Sequence, residues 1–182
     1  MSLITEDGTG LSNAESYTSV AEALAYHAKR GNDLWATMTT TQQEQALVRA
    51  TDYMLQEYRM RWLGRRVLTT QTLDWPRVGV VIEDFNGSQS FGNMGSYGLF
   101  QVSYIIVPIE VKNACAVLAL KAAAGELASD LEQKVTEEII GPITTKYDDY
   151  SPAFTRYRSV DNMLRAYLTS GGNKNMMKMV RS

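Results

Sequence analysis

The chain has 182 residues, a formal net charge of −2 and 45% hydrophobic residues. A chain of this size and composition is expected to form one domain with its own hydrophobic core, and a single cysteine excludes an internal disulfide. The near-neutral charge is not typical of a protein that coats nucleic acid, and no apolar run is long enough to span a bilayer. Because the first residues are acidic and polar, we predict no signal peptide and synthesis in the cytoplasm.

A flexible leader and a first helix are predicted at the N-terminus. Residues 1–16 are rich in Gly, Ser, Thr and acidic residues, which is typical of a loose terminal segment. Ser19 and Glu22 have the spacing of a capping box, and Gly31 is placed to end the helix. The apolar face of this helix is expected to comprise Val20, Ala23, Leu24 and His27.

A longer second helix is predicted after residue 39. Thr39 is the expected cap with Gln42 as its partner, although Thr40 and Thr41 are alternative caps. Apolar residues then recur at steps of three and four, which predicts a buried stripe of Leu47, Ala50, Thr51, Met54, Tyr58 and Trp62. The connection between the two helices is expected to fold back onto them through Leu34, Trp35 and Met38.

The second half of the chain predicts a central helix, a hairpin and a short last helix. Pro108 suits the first position of a helix, and the residues after it are apolar on nearly all sides, so this helix is expected to be the most buried. Gly141 and Pro142 separate two β-prone runs and predict a turn. Residues 159–168 predict the last helix. Residues 83–104, rich in Gly, Ser and Asn, fit no element: they form either an extended hairpin or an excursion that orders on a partner.

The sequence contains no recognisable catalytic or metal-binding constellation. The one histidine, His27, has no second ligand at metal-binding spacing, and Cys115 lies in an apolar helical stretch, so both are expected to be structural. The glycine-rich segment 92–98 lacks the Gly-Lys-Ser/Thr ending of a phosphate-binding loop. We therefore expect no enzymatic activity, no cofactor and no metal.

A basic patch interleaved with aromatic residues follows the second predicted helix. Such a pattern is typical of single-stranded nucleic-acid sites, where guanidinium groups bind phosphates and rings stack on bases. Alternatively, Tyr58 and Trp62 continue the core stripe while the cations complement the helix dipole, and the four-residue spacing favours this interpretation. In that case the exposed arginines remain available to the carboxylates of a partner. The patch comprises Arg59, Arg61, Arg65, Arg66 and Arg77.

The C-terminal end carries an excess of positive charge over an otherwise acidic chain. Residues 169–182 are too polar to bury themselves and are expected to form an arm. Residues 153–182 contain one acidic residue, Asp161, and six basic residues, namely Arg156, Arg158, Arg165, Lys174, Lys178 and Arg181.

The order of these blocks resembles that of proteins at the head-to-tail junction of tailed bacteriophages. The blocks span residues 17–168 and read YTSVAEALAYHAKRGNDLW, QALVRATDYM, LDWPR, VPIEVKNACAVLALKAAAG, IIGPITTKY and RYRSVDNMLRAYL. Some of these phage proteins carry the label DnaT-like single-stranded-DNA-binding protein. The resemblance implies a small α-helical domain with a β-hairpin, which assembles as a ring, typically twelvefold, between the portal and the stopper or tail.

The expected fold class is therefore mainly α, a small bundle of about four helices with one β-hairpin, an extended loop and a C-terminal arm. The expected domains are a flexible leader at 1–16, one helical adaptor domain at 17–168 with a loop insertion at 83–104, and the arm at 169–182. The expected core joins Leu47, Met54, Trp62, Trp75, Val111, Leu118 and Leu164.

The LDWPR block is either a ligand-binding site or a structural anchor that holds its loop onto the core. It resembles the family's loop between the second and third helices. Pro76 restricts Trp75 to an extended conformation, so that the indole packs onto the bundle and Arg77 points away from it. We favour the structural anchor.

Two departures from the family pattern predict contacts with partners. The insertion is longer than usual, and we expect it to pack against a neighbouring subunit or the next ring through Phe85, Phe91, Tyr97, Phe100 and Tyr104. The C-terminal arm continues beyond the family's last helix. We expect it to dock on the phage portal, because methionines fill irregular grooves and cations steer toward acidic surfaces, through Lys174, Met176, Met177, Lys178, Met179 and Arg181.

The expected function is that of a structural subunit of the phage neck. It would form a homo-oligomeric ring in the virion, assembled in the host cytoplasm, that connects the portal to the stopper or tail and continues the DNA channel. Non-specific contact with genomic DNA in that channel is compatible with this role, and no membrane is involved. The alternative is a single-stranded-DNA-binding replication accessory protein, which the basic patch favours and the acidic isoelectric point disfavours.

Overall fold

The structure, a computed structural model, is mainly α-helical. Within the part of the chain that it describes there are five α-helices and three short antiparallel ribbons. This confirms the predicted mainly α class with a β-hairpin, while the bounds of the helical domain at 17–168 and of the arm at 169–182 stay a prediction. The described residues are 2–82, 100–128, 137–140, 143–146 and 156–169, with the backbone alone for 100, 137–140 and 143–146.

Two short helices form the first corner of the fold. Helix α1 spans Val20–Ala28 and helix α2 spans Asp33–Thr37. Trp35 is buried, which confirms that the connection folds back onto the bundle. The predictions for Leu24 and Leu34 were wrong, because both side chains are exposed. Leu24 follows the buried Ala23, and Leu34 precedes the buried Trp35. Because successive helical residues are about 100° apart around the axis, the neighbour of a buried residue can face solvent.

Both predicted capping boxes are present. At the start of α1, the Glu22 N–H donates to the Ser19 hydroxyl at 3.2 Å and the Ser19 N–H donates to the Glu22 carboxylate at 2.9 Å. Helix α3 spans Thr40–Tyr58, and its cap repeats the pattern with Thr39 and Gln42, at 3.3 and 2.9 Å. Each box satisfies amides that the first helical turn leaves without partners, so both helices begin where the sequence predicts.

The core lies between the two longest helices. Helix α4 spans Ile109–Ala124 and packs along α3, with α5, Arg158–Leu164, against its other side. A 3-10 turn, Arg165–Tyr167, follows α5. Pro108 is the cap of α4 rather than its first residue. The predicted core residues are all buried, namely Leu47, Met54, Trp62, Trp75, Val111, Leu118 and Leu164.

The strands form three separate two-stranded ribbons. The predicted hairpin is confirmed, with β5, Glu137–Ile140, antiparallel to β6, Ile143–Lys146. Of two further ribbons with two-residue strands, the first was not predicted, and the second is antiparallel at the base of residues 83–104, for which an extended hairpin was one of the two alternatives. They pair β1, Arg65–Arg66, with β2, Arg77–Val78, and β3, Val81–Ile82, with β4, Phe100–Gln101.

The N-terminal segment is packed, which corrects the expectation of a loose leader. The Glu6 carboxylate is buried and accepts hydrogen bonds from the N–H groups of Gly8, Gly10 and Leu11, each at 2.9 Å. Gly8 has a φ of 105°, and a side chain there would meet the backbone of Ile105. The glycines therefore allow the segment to lie close to the bundle, with Glu6 satisfying its backbone amides.

The LDWPR block is a structural anchor, as predicted for its tryptophan. Trp75 is fully buried, and its ring lies edge-on to the rings of Trp62 and Tyr167, with both centroid distances at 5.6 Å. The Trp75–Pro76 peptide bond is cis. The indole thus joins the loop to the ends of α3 and of the 3-10 turn, and this contact fixes the surface on which the candidate site forms.

Candidate functional site

Arg77 supports the backbone and is not a surface cation. Its side chain is only 7% exposed, and it donates to the carbonyls of Leu63 at 2.7 Å, Gly64 at 2.8 Å and Asp74 at 3.1 Å. Burial lowers the pKa of the guanidinium, and the nearby Asp74 carboxylate offsets part of that effect. The expectation that Arg77 points away from the bundle was wrong, because its buried side chain donates to three backbone carbonyls of the surrounding loops.

Two other arginines of the predicted patch have partners within their own loop. Arg59 donates to the buried carboxylate of Asp74 at 3.0 Å, and Arg66 donates to the Gln71 carbonyl at 3.1 Å. Arg65 is exposed on β1. The five predicted cations therefore do not form one binding surface.

The rings interleaved with this patch belong to the core. Tyr58 and Trp62 are both buried, and their centroids lie 5.8 Å apart. The Tyr58 hydroxyl donates to Asp161 at 2.8 Å, and burial, followed by Asp161, raises the pKa of this tyrosine well above its ordinary value. The structure confirms the core-stripe interpretation. Neither ring faces solvent, where it could stack on a nucleobase.

Arg61 belongs to a different cationic cluster, which joins it to the last helix. A cavity of about 350 Å³ lies between the end of α3 and the α5 region. Its lining, which we call the arginine cleft, consists of Arg61, Arg156, Arg158, Asp161, Asn162, Arg165, Leu168 and Thr169.

Backbone pairing brings the two walls of the arginine cleft together. Trp62 and Leu168 form an isolated antiparallel bridge. On either side of it, the Leu63 N–H donates to the Tyr167 carbonyl at 2.9 Å, and the Thr169 N–H donates to the Arg61 carbonyl at 2.7 Å. The bridge holds the residues after α3 beside those after α5, so arginines about a hundred positions apart in sequence line one cavity.

The arginine cleft holds more positive than negative charge. Arg156 pairs with Asp161 at 3.3 Å, and Arg165 donates to the Asn162 side-chain carbonyl at 3.1 Å. Arg61 forms an ion pair at 2.7 Å with Glu57, and Glu57 does not line the cavity. Among the described residues, the lining thus contains four arginines and one carboxylate.

Arg158 is the cation of the cleft with the most capacity to bind an anion. Within the described residues it forms no ion pair and no hydrogen bond. Guanidinium groups bind oxyanions through paired N–H donors and stay charged at any physiological pH. The arrangement can therefore bind an anion with several oxygen atoms, such as phosphate.

The sequence indicated the cations of this site but not that they lie together. The basic excess of residues 153–182 includes Arg156, Arg158 and Arg165, which were attributed to the C-terminal end as a whole. The contribution of Arg61 was attributed to the patch after α3. A contact between residues so distant in sequence has no local pattern that could predict it.

The predicted partner-binding residues lie mostly outside the described residues. This applies to the whole predicted portal-binding set and to Phe85, Phe91 and Tyr97, while of Phe100 only the backbone is described. Tyr104 is exposed. It belongs to an apolar strip whose side chains are between 43% and 61% exposed, formed by Tyr104, Ile105, Ile106 and Ile109.

His27 and Cys115 have structural roles, as predicted. The His27 ring donates from Nε2 to the Ala116 carbonyl at 3.0 Å, and Cys115 is a buried free thiol whose pKa is raised by burial. In the part of the chain that the structure describes, no cluster of three or more His, Cys, Asp or Glu residues could hold a metal ion. None of the helices described there is both long and apolar enough to cross a bilayer.

Comparison with known proteins identifies a family. No curated protein and no solved structure matches the chain. The profile of one family, described as "Putative DnaT-like ssDNA binding protein", matches residues 1–182. Because this match covers the whole sequence, the chain belongs to that DnaT-like family.

Proposed function

We propose that this protein binds single-stranded DNA and that the arginine cleft holds the phosphates. The observation that carries the proposal is the convergence of Arg61, Arg156, Arg158 and Arg165 on one cavity with a single lining carboxylate. Phosphate contacts from arginine supply much of the affinity of proteins for nucleic acid. The description of the family to which the chain belongs supports the same function.

The mode of binding that this geometry favours is contact with the DNA backbone. Base stacking needs exposed rings, and Tyr58 and Trp62 beside Arg61 are buried. Tyr157, between Arg156 and Arg158, is half-buried, packs edge-on against Tyr53 at 5.4 Å between centroids, and donates its hydroxyl to the Leu127 carbonyl. Guanidinium groups that contact phosphates carry no information about base sequence. Binding is therefore expected to be indifferent to sequence and to weaken as salt concentration rises.

The test compares two double variants that remove equal charge from different surfaces. Fluorescence anisotropy with a short labelled oligonucleotide measures affinity for wild type, for Arg158→Ala with Arg165→Ala, and for Arg65→Ala with Arg66→Ala. We expect the cleft variant to bind at least about tenfold more weakly, since each hydrogen bond between charged groups contributes roughly 1.5–3 kcal/mol. The control variant should change the affinity less than about threefold. Equal losses in both variants, or no binding by wild type, would contradict the proposal.

The second candidate function is the phage-neck adaptor, and the apolar strip at residues 104–109 favours it. Exposed apolar patches of adjacent side chains are typical of surfaces that contact another protein. Under this proposal the strip contacts a neighbouring copy or the next ring of the neck, and the C-terminal residues contact the portal. The protein would then be a homo-oligomeric, non-enzymatic component of the virion.

Assembly measurements test this second candidate. The molar mass in solution and co-purification with the phage portal protein are compared between wild type and a variant with Ile105→Asp and Ile106→Asp. The control is Leu34→Asp, which adds charge at an isolated side chain that is 72% exposed. We expect the double variant to assemble and co-purify less than the control. A monomeric wild type that does not co-purify with the portal would exclude the adaptor.

A further inference from the structure

We infer that the arginine cleft binds the terminal phosphate of a DNA strand, a phosphomonoester, in preference to the phosphodiesters within the strand. The inference rests on the proposed single-stranded-DNA binding and specifies which phosphate the cleft selects. It is carried by the small size of the cavity, by its charge and by the absence of an exposed ring from the part of its lining that the structure describes.

The shape of the cleft suits an end better than a continuous strand. The four arginines line one cavity of about 350 Å³, at the small end of the range of roughly 300–1,000 Å³ found for ligand pockets. A site that tracks a strand presents its cations along a groove, each beside a successive phosphate. Cations that converge on a single small cavity instead surround one anionic group.

The charge of the cleft matches a phosphomonoester. At neutral pH a phosphomonoester carries about −1.5 to −2 charges and three strong acceptor oxygens, whereas each phosphate within a strand carries one charge. The lining supplies four guanidinium groups and one carboxylate. A group with more charge and more acceptor oxygens therefore compensates the cleft more completely than a phosphodiester does.

The single acidic residue of the cleft has both carboxylate oxygens occupied. Asp161 accepts from the Tyr58 hydroxyl through Oδ1 at 2.8 Å and from Arg156 through Oδ2 at 3.3 Å. It holds Arg156 at the edge of the cavity while its own charge is partly compensated. Arg165 is held in a similar way by the side-chain carbonyl of Asn162. These contacts reduce the conformational entropy that the arginines lose when an anion binds.

The remaining lining offers no surface that reads a base. Leu168 is buried, and the Thr169 hydroxyl donates to the Arg61 carbonyl at 2.9 Å, so it presents its oxygen as an acceptor. Among the residues that the structure describes, no aromatic side chain lines the cavity. Selection therefore rests on the phosphate, and the identity of the terminal base should have little effect.

The experiment uses the full chain and three oligonucleotides of identical sequence. One carries a 5′-phosphate, one carries a 3′-phosphate, and one carries hydroxyl groups at both ends. We expect at least one phosphorylated oligonucleotide to bind about tenfold more tightly than the hydroxyl form. The preference should disappear in Arg158→Ala with Arg165→Ala and persist in Arg65→Ala with Arg66→Ala. The single variant Arg158→Glu should also abolish it, because Arg158 has no partner among the described residues whose loss would affect folding.

The outcomes separate this inference from the proposed function. Equal affinity for all three oligonucleotides would overturn the terminal-phosphate site and leave single-stranded-DNA binding intact. Absence of binding to all three would overturn both. A preference that survives in the cleft variants would place the selective site elsewhere and overturn the assignment. A competition experiment with inorganic phosphate completes the test. If inorganic phosphate displaces the labelled oligonucleotide as effectively as an unlabelled phosphorylated oligonucleotide does, the cleft is a small-anion site and the strand-end inference fails.

Discussion

Glu6 and Arg77 are buried charged side chains whose hydrogen bonds hold loops in place. Glu6 accepts from three backbone N–H groups, and Arg77 donates to three backbone carbonyls. Buried backbone groups need partners, and hydrogen bonds to ionised partners are stronger than neutral ones. The loops themselves therefore account for both charges, and neither residue requires a ligand.

Replacing Arg77 with Met should destabilise the fold without removing a DNA contact. The change leaves one buried and two partly buried carbonyls without these donors, and we expect the free energy of unfolding to fall by roughly 2–5 kcal/mol in urea denaturation. The matched control, Arg65→Met, alters an exposed arginine and should change stability by less than about 0.5 kcal/mol. An Arg77→Met protein of normal stability that no longer binds DNA would show that the guanidinium faces a ligand.

Replacing Trp75 with Ala should cost about 3–5 kcal/mol of stability. The indole is fully buried between the rings of Trp62 and Tyr167, so truncation leaves a cavity where the loop meets the bundle. Urea denaturation measures the loss, and Leu34→Ala, an exposed truncation, serves as the control. A loss below about 1 kcal/mol would mean that the loop does not depend on this side chain.

His27 should make stability fall as the pH is lowered below about 6.5, the ordinary histidine pKa. Burial lowers the pKa of this residue in the folded state. Its Nε2 donates to Ala116, while its Nδ1 accepts from Asn32 at 3.2 Å and would lose that bond on protonation. The unfolded chain therefore takes up the proton first, so the stabilisation is complete above the unfolded pKa and is lost as pH falls toward the folded pKa.

The pH prediction is checked by urea denaturation of wild type and His27→Gln. The sequence has one histidine, so the variant removes this titration entirely. Between about pH 7.5 and pH 5.5, a range that spans the ordinary histidine pKa, wild type should lose stability more steeply than the variant. The same pH dependence in both proteins would contradict the assignment.

At the level of elements, the sequence predicted what local signals determine. Capping residues and apolar periodicity identified the starts of α1 and α3, and the β-prone runs around Gly141 and Pro142 identified the β5 and β6 hairpin. The two ribbons with two-residue strands carry no periodic signal, because two residues do not define a period. The N-terminal loop was missed because a buried Glu among glycines has the composition of a solvent-exposed segment.

The cap of α3 provides a prediction at this scale. Thr39→Ala removes the hydroxyl that accepts from the Gln42 N–H, and we expect a loss of about 1 kcal/mol in thermal or urea denaturation. Thr40→Ala is the control, because Thr40 is the first residue inside the helix and was an alternative cap. Equal losses in the two variants would show that the hydroxyl at residue 39 is not specifically required.

The arginine cleft could not have been predicted from any single element. One wall follows α3, the other consists of α5 and the residues on either side of it, and the bridge between Trp62 and Leu168 joins them. Local patterns indicated the cations on both walls. Which cations line the same cavity depends on a backbone pairing that has no sequence motif. Arg77 was grouped with surface arginines for a similar reason, because its backbone partners cannot be identified from the sequence.

For the whole molecule, net charge is a weaker guide to partners than its distribution. The chain has a net charge of −2, yet one cavity is lined by four arginines and one carboxylate. At physiological salt the Debye length is about 8 Å, so a phosphate in the cleft responds mainly to the groups that line it. An acidic isoelectric point therefore does not exclude local binding of a polyanion, although it disfavours coating of nucleic acid.

The salt dependence of DNA binding should report how many cleft arginines contact phosphates. For single strands, the logarithm of the affinity falls with the logarithm of salt concentration by about 0.7 for each phosphate that the protein neutralises. Because the cleft is inferred to hold one terminal phosphate, Arg158→Ala with Arg165→Ala should reduce the slope by about 0.7, and a reduction of about 1.4 would mean that each arginine contacts a separate phosphate. Arg65→Ala with Arg66→Ala removes the same charge elsewhere and should leave the slope unchanged. Anisotropy titrations between about 50 and 200 mM salt cover the range in which the effect is large. An unchanged slope in the cleft variant would mean that these two arginines release no counterions on binding and that the DNA lies elsewhere.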